Sequence, residues 1–344
     1  MKSIFNKNYS LFIILILLGI SNASTYVITK NYDKSTNAKA NRLNLAQIQS
    51  NGCSYKVRRL GGLHYIKPLL LIDNLCQGDK LMPLKSSLNI LFDNFKKSGV
   101  LKSASFYIKD YSNNDWMAIN EDEKYSPGSL LKVPQLITFL KMNEDNPGFL
   151  NKKIPFLNAL ITDKKPIYTS KSIKPGQNYS IKELLVYMIQ YSDNNATMLL
   201  NGIIDIKTFK KVFTDLGLSE PDWYAKSYPI SAKEYSVFLR VLFNGGYLNM
   251  KDSEFALRLL TKSDFKNGIV NGLPSNVQLA HKFGESGDAN EKQLHESAII
   301  YLNNNPILIT IMTKGNDLKK LPEVIKEASN LVYNQIQTIQ ITSK

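Results

Sequence analysis

Apolar residues follow two rhythms along this chain, one with the period of a helix and one with the period of a strand. Leu84, Leu88, Leu91, Phe92 and Phe95 recur at helical spacing, and Ser98-Gly99 ends the run, which predicts an early helix. The apolar stretch before it, residues 65–73, predicts an edge strand. Residues 103–110 and 116–119 are strand-like and are split by Tyr111-Ser112-Asn113-Asn114-Asp115, which predicts a hairpin. Pro127-Gly128 then makes a turn, and a helix-like apolar run leads from Ser129 to about Met142.

A long, mostly helical region follows. Ser180 with Glu183 forms a capping box before the apolar face of Ile181, Leu184, Leu185, Met188 and Ile189. Ile206, Phe209, Val212, Phe213 and Leu216 form a second face, closed by Gly217 where a left-handed residue is wanted. Ser231 with Glu234 is a second capping box, ahead of Val237, Phe238, Val241 and Leu242. Strand character returns at 279–283, 296–302 and 307–312, and Leu321, Val324, Ile325, Ala328, Leu331 and Val332 make a last amphipathic helix. The order predicts an α/β chain of the α+β kind. An antiparallel sheet is flanked by N- and C-terminal helices, and an all-helical lobe is added to it. The sheet lobe is expected at about 80–128 and 276–340, and the helical lobe at about 129–275.

The N-terminus changes the picture. Lys2 and Lys7 precede an apolar run from Leu11 to Ile20, and Ser21-Asn22-Ala23 supplies the small residues a signal peptidase reads. Residues 1–23 are therefore expected to be a signal peptide, with an uncleaved anchor as the alternative, since the run is short for a spanning helix. Residues 24–52 are polar and read as a tether, leaving 53–344 as the domain. Export makes a single disulfide available to Cys53 and Cys76; two buried thiols are the other reading.

The net charge of +14 favours anionic surroundings such as wall polymers, lipid headgroups or a carboxylate substrate. The lysines are scattered and no nucleic-acid motif accompanies them, so no nucleic-acid partner is expected. A membrane partner is expected only if the N-terminal segment stays uncleaved. The three histidines, His64, His281 and His295, have no zinc spacing, and no cofactor is expected.

Chemistry concentrates in three places. In Ser129-Leu130-Leu131-Lys132, helical spacing sets an amine beside a hydroxyl, and an amine held partly neutral can take the serine proton. Backbone N–H groups at the helix start suit a developing oxyanion. The same spacing recurs at Ser263-Asp264-Phe265-Lys266, so the pattern alone is weak. Tyr191-Ser192-Asp193-Asn194 follows a capped helix, where a loop exposes short polar side chains. His281-Lys282-Phe283-Gly284 lies on a predicted strand whose lysine can face a cleft, with Gly284 permitting close approach of a substrate backbone. His281 is expected to pack or hydrogen-bond near that strand rather than touch substrate. An elbow of the Gly-x-Ser-x-Gly kind fails at Asp288.

Ser-x-x-Lys, Ser-Asp-Asn and Lys-x-Gly, in this order, resemble the penicillin-recognising serine hydrolases, and the class A β-lactamase branch in particular. Lys132-Val133-Pro134 and Met312-Thr313-Lys314-Gly315 add to a resemblance that spans residues 83–333. It implies a β-lactamase/transpeptidase-like fold and a monomer acting on a β-lactam or a peptidoglycan peptide. It also implies roles. Ser129 resembles the acylated nucleophile and Lys132 its proton acceptor, or the group that tunes it. Ser192 resembles the relay to the leaving nitrogen, and Asn194 the amide that holds both the substrate side chain and Lys132. Asp193 would fix its loop, Lys282 would grip a substrate carboxylate, and the N–H groups of Ser129 and Glu285 would form the oxyanion hole.

Two positions depart from that pattern. Phe283 stands where a hydroxyl usually meets the substrate carboxylate, and Ser286 is the candidate substitute. The segment between Gly217 and Ser231 is too short for the usual loop bearing a water-activating glutamate. Glu220, with Asp222 beside it, could stand in for that base or simply cap the surface. Acylation is thus better supported than deacylation. The resemblance leaves open a β-lactamase-like hydrolase, a D-Ala-D-Ala-type peptidase or wall amidase, and a sensor acylated without turnover.

Overall fold

The structure, a computed structural model, describes residues 53–159, 166–168, 170–225, 228–288, 290–302 and 305–342, with side chains to residue 338. The expected signal peptide and tether lie outside the described residues. Both cysteines, Cys53 and Cys76, are disulfide-bonded. Among the described residues no helix is long and apolar enough to cross a membrane.

Residues Tyr55–Lys344 form one unit. Its centre is a five-stranded antiparallel sheet built from β3 (Leu101–Asp110), β4 (Trp116–Ile119), β7 (Gln278–Gly287), β8 (Lys292–Leu302) and β9 (Asn305–Gly315). The order across the sheet is β4-β3-β9-β8-β7, which puts β7 on an edge. Side chains alternate between two cores. Phe106, Ile108, Ile309 and Ile311 face a layer made by α1 (Met82–Lys97) and α8 (Leu321–Thr342), where Leu84, Leu88, Phe92, Val324 and Ile325 are buried. Tyr107, Leu308, Met312 and Ile299 face the helical lobe. The middle strands are therefore buried on both faces, which is why residues 307–312 read as a continuous apolar run rather than an alternating one. Each large side chain so buried contributes roughly 1.5–3 kcal/mol.

The helical lobe holds α2 (Lys132–Asp145), α3 (Ile181–Gln190), α4 (Asn194–Asn201), α5 (Ile206–Asp215), α6 (Ala232–Asn244) and α7 (Met250–Leu260). Both capping boxes form in full: Ser180 with Glu183 opens α3, and Ser231 with Glu234 opens α6. Gly217 has φ +74°, the left-handed value expected after α5. The lobe also carries a hairpin that sequence pattern did not announce, β5 (Lys153–Phe156) with β6 (Gln177–Ser180).

Two expectations need correction. The strand expected at 65–73 is β2 (Leu69–Asn74), and it pairs with β1 (Tyr55–Arg59) instead of joining the main sheet edge. It is held from α6, where Asn244 Nδ2 donates to Leu70 O at 3.0 Å and Arg240 bonds Asp73. The helix expected from Ser129 begins as a 3-10 turn, Gly128–Leu131, and becomes α-helical only at Lys132. Pro134 fits there because the first-turn N–H groups of a helix have no intrahelical partner.

Candidate active site

Ser129 is carried by a turn clamped against the free edge of the sheet. Ser126 N donates to Gln293 Oε1 at 2.9 Å, and Ser126 O accepts from Ser286 Oγ at 2.7 Å and His295 Nε2 at 3.0 Å. His295 Nδ1 accepts from Thr313 N, which fixes its proton on Nε2, and burial pushes its pKa down to about 3. Ser286 is thus committed to the turn, not free to replace the missing hydroxyl. From the other side, the buried Tyr235 hydroxyl donates to Leu130 O at 3.0 Å.

Two glycines let the turn and β7 touch. Gly128, at φ +54°, faces the peptide of Glu285, and a Cβ there would fall 2.2 Å from Glu285 O and 3.3 Å from Glu285 N. A Cβ on Gly284 would fall 2.3 Å from Pro127 O and 2.8 Å from Leu130 N. Gly284 was expected to make room for a substrate backbone. The backbone it makes room for is that of the Ser129 turn.

A 3-10 turn stacks residues three apart, so Lys132 stands on the face of Ser129. Lys132 is buried, and its Nζ bonds Ser192 O at 2.6 Å, Asn194 Oδ1 at 2.8 Å and Ser192 Oγ at 3.2 Å. Burial pushes its pKa down to about 7, against the pull of Asp193 and Glu285. An amine that is partly neutral near neutrality can accept a proton, which an ordinary lysine cannot.

Ser192 lies in the loop between α3 and α4 with φ +52°, a left-handed conformation costing a non-glycine residue roughly 1–2 kcal/mol. Asp193 holds it there. Its carboxylate accepts from Asn195 N and Ala196 N as the cap of α4, and from Ser172 Oγ and Ile173 N across the lobe. The loop delivers the Ser192 hydroxyl between two amines, since Lys282 Nζ bonds the same Oγ at 2.9 Å. Lys282 is fully buried and also donates to Phe283 O at 2.9 Å. Burial, and then the nearby Lys132, push its pKa well below the usual lysine value. Ser129, Lys132, Ser192, Asn194 and Lys282 therefore converge as their motifs suggest.

The cleft above them has a volume of about 620 Å³, and Ser129, Ser192, Asn194, Glu285 and Ser286 line it. Among the walls that sequence reasoning missed are Ile167, Tyr168, Leu318 and the side chain of Glu285. Tyr168 donates to Leu318 O at 3.1 Å and packs edge-on against Phe265 and Phe283, which stack 4.2 Å apart. Phe265 belongs to the second Ser-x-x-Lys copy. There Lys266 Nζ binds Ser263 O, and Ser263 is buried, so that copy only supplies packing. No local signal marks these residues, because they meet through strand register and loop placement.

Other expected residues lie elsewhere. Glu220 is exposed and ion-paired to Lys210 at 2.8 Å, away from the cleft lining. Asp222 caps its own turn at Tyr224 N. His281 bonds the buried Glu296 at 2.6 Å behind the site, as expected of a packing histidine. Among the described residues, no group of three or more His, Cys, Asp and Glu is placed to hold a metal ion.

A family model described as the beta-lactamase enzyme family matches residues 83–336. No curated protein matches the chain by sequence. Solved structures share its fold. A mutant of PBP-A, in an acyl-enzyme complex with penicillin G, is 20% identical over 77% of this chain and 100% of that one, with a TM-score of 0.63. A beta lactamase from Xanthomonas campestris pv. campestris is 16% identical over 74% of this chain and 98% of its own, at 0.62. A class A beta-lactamase from Mycobacterium abscessus is 19% identical over 74% and 99%, at 0.61.

Proposed function

The chain belongs to the beta-lactamase enzyme family, and on that footing we propose that it is an exported serine hydrolase whose Ser129 is acylated by a β-lactam or a related amide. The observation that carries this reading is the buried relay Lys132–Ser192–Lys282 set beside a serine at the head of a helix. Neutral Lys132 takes the Ser129 proton as Oγ attacks the carbonyl carbon. The N–H groups of Ser129 and Glu285 hold the oxyanion. As the tetrahedral intermediate collapses, the C–N bond breaks and the nitrogen takes the Ser192 proton. Lys132, protonated in the first step, returns a proton to Ser192. The product is an ester on Ser129.

Its hydrolysis is the slow step. The carboxylates among the residues lining the cleft are Glu285 and Asp288, and Glu220 is held by Lys210 outside it. The relative trapped as a penicillin acyl-enzyme supports an intermediate of this kind. A D-Ala-D-Ala-type peptidase is the second reading, favoured by the same placement of Glu220.

Intact mass of the purified protein, followed over time with a fluorescent penicillin, tests this. An adduct of one label per chain is expected to form faster than it is lost. Rapid hydrolysis of the penicillin with no accumulated adduct would contradict the slow step, and neither adduct nor hydrolysis would contradict the function.

A further inference from the structure

The β1–β2 ribbon and the loop that joins its strands take no part in lining the cleft. They nevertheless hold most of the large apolar side chains that stay exposed among the described residues. Strand geometry makes the ribbon two-faced, because successive side chains on a strand point to opposite sides. Leu71, opposite Arg58, is buried in the core shared with the helical lobe. Val57 and Ile72, paired directly across the ribbon, are therefore turned outward together. Val57 stays 52% exposed and Ile72 39%. Tyr55, two residues along β1, continues that outward face.

The joining loop shows the same character more strongly. Tyr65 is 93% exposed, and Ile66 beside it is exposed as well. Cations surround these side chains. Arg59 and Lys67 are exposed at the two ends of the loop, with Arg59 Nη1 donating to Lys67 O at 2.9 Å, and Lys56 is exposed on β1. The acid in this stretch, Asp73, is already ion-paired to Arg240. The ribbon is also firmly held. Asn244 Nδ2 donates to Leu70 O, and a Cβ on Gly246 would fall 2.5 Å from Leu69 O.

Exposed cations on a free strand edge are explained on their own as protection against pairing with another chain. Val57, Tyr65 and Ile66 have no place in that explanation. A surface for a soluble polyanion likewise needs charge and gains nothing from exposed apolar side chains. A surface carrying both kinds matches an anionic bilayer, where cations meet the headgroups and apolar and tyrosine side chains enter the interface.

We propose that the β1–β2 ribbon and its loop form a docking surface for an anionic lipid bilayer. Tyr65 and Ile66 enter the boundary between headgroups and acyl chains, and Lys56, Arg59 and Lys67 meet lipid phosphates. This docking does not depend on acylation of Ser129.

The test sediments the purified protein with vesicles of phosphatidylcholine alone, or with about one-third phosphatidylglycerol added. Binding to the anionic vesicles is expected to be about a hundredfold tighter, about fivefold for each of the three cations. Lys56→Gln, Arg59→Gln and Lys67→Gln together should remove that preference. Tyr65→Ser with Ile66→Ser should weaken anionic binding by about tenfold, with the far-UV circular dichroism unchanged. In Tyr65→Trp, the added emission should shift to the blue on anionic vesicles and be quenched by brominated lipid. That signal comes from the loop itself, so attachment through the N-terminal segment cannot produce it. Equal binding to both vesicle types, with no shift in Tyr65→Trp, overturns the inference. Anionic binding that the serine pair leaves unchanged also overturns it, and would mark a surface that reads charge alone, as for an anionic wall polymer. A lipid-free dimer that the serine pair dissolves would assign this face to a second copy of the chain and overturn it equally.

Discussion

Lys132→Ala is expected to slow acylation of Ser129 by about a thousandfold, the usual worth of a positioned general base. The substitution removes an amine with three hydrogen bonds, and with it the group proposed to take the serine proton. The pH profile separates that chemical role from simple packing. Burial holds the Lys132 pKa near 7, so the amine is mostly protonated below that value and mostly neutral above it. A protonated amine cannot accept a proton. The native rate should therefore rise with pH through about 7 and then level off, whereas Lys132→Ala should lose this inflection. Stopped-flow acylation by a chromogenic cephalosporin reads both. A native profile that is flat from pH 5 to 9 would mean that Lys132 is not the base. Lys132→Arg should not restore the rate, because a guanidinium stays charged throughout this range.

Gly284→Ala is expected to have the second largest effect, and for a different reason. Its new Cβ would lie 2.3 Å from Pro127 O and 2.8 Å from Leu130 N, both main-chain atoms that cannot swing aside. Either β7 or the Ser129 turn must move, and that separates the two N–H groups proposed for the oxyanion hole. A displacement of this kind costs about a hundredfold in acylation rate. Circular dichroism melting alongside the kinetics distinguishes a displaced site from an unfolded chain: the far-UV signal at 25 °C should stay native-like. An unchanged acylation rate would show that the turn does not depend on this contact.

Much of this site could be read from local sequence. Ser129 with Lys132, Ser192 with Asn194, and Lys282 each sit in short patterns whose spacing dictates local geometry, and chain order brought them together. The two capping boxes and the left-handed Gly217 were legible for the same reason. What escaped depends on partners far away in the chain. The direction of Lys282, the true neighbours of Gly284 and the pairing of Phe283 with Glu296 follow from the register of β7 on β8 and from the turn packed against it. The β5–β6 hairpin escaped because its strands are four residues each and far apart in sequence. Glu220 was singled out for its residue type in a short segment, and an exposed lysine one helix away claimed it.

The identity of the acylated atom decides whether Ser129 is the nucleophile. Labelling the protein with a penicillin, digesting it and locating the adduct by tandem mass spectrometry measures this. The prediction is a single adduct on Ser129, absent from Ser129→Ala. An adduct on any other residue, or equal labelling of Ser129→Ala, would contradict it.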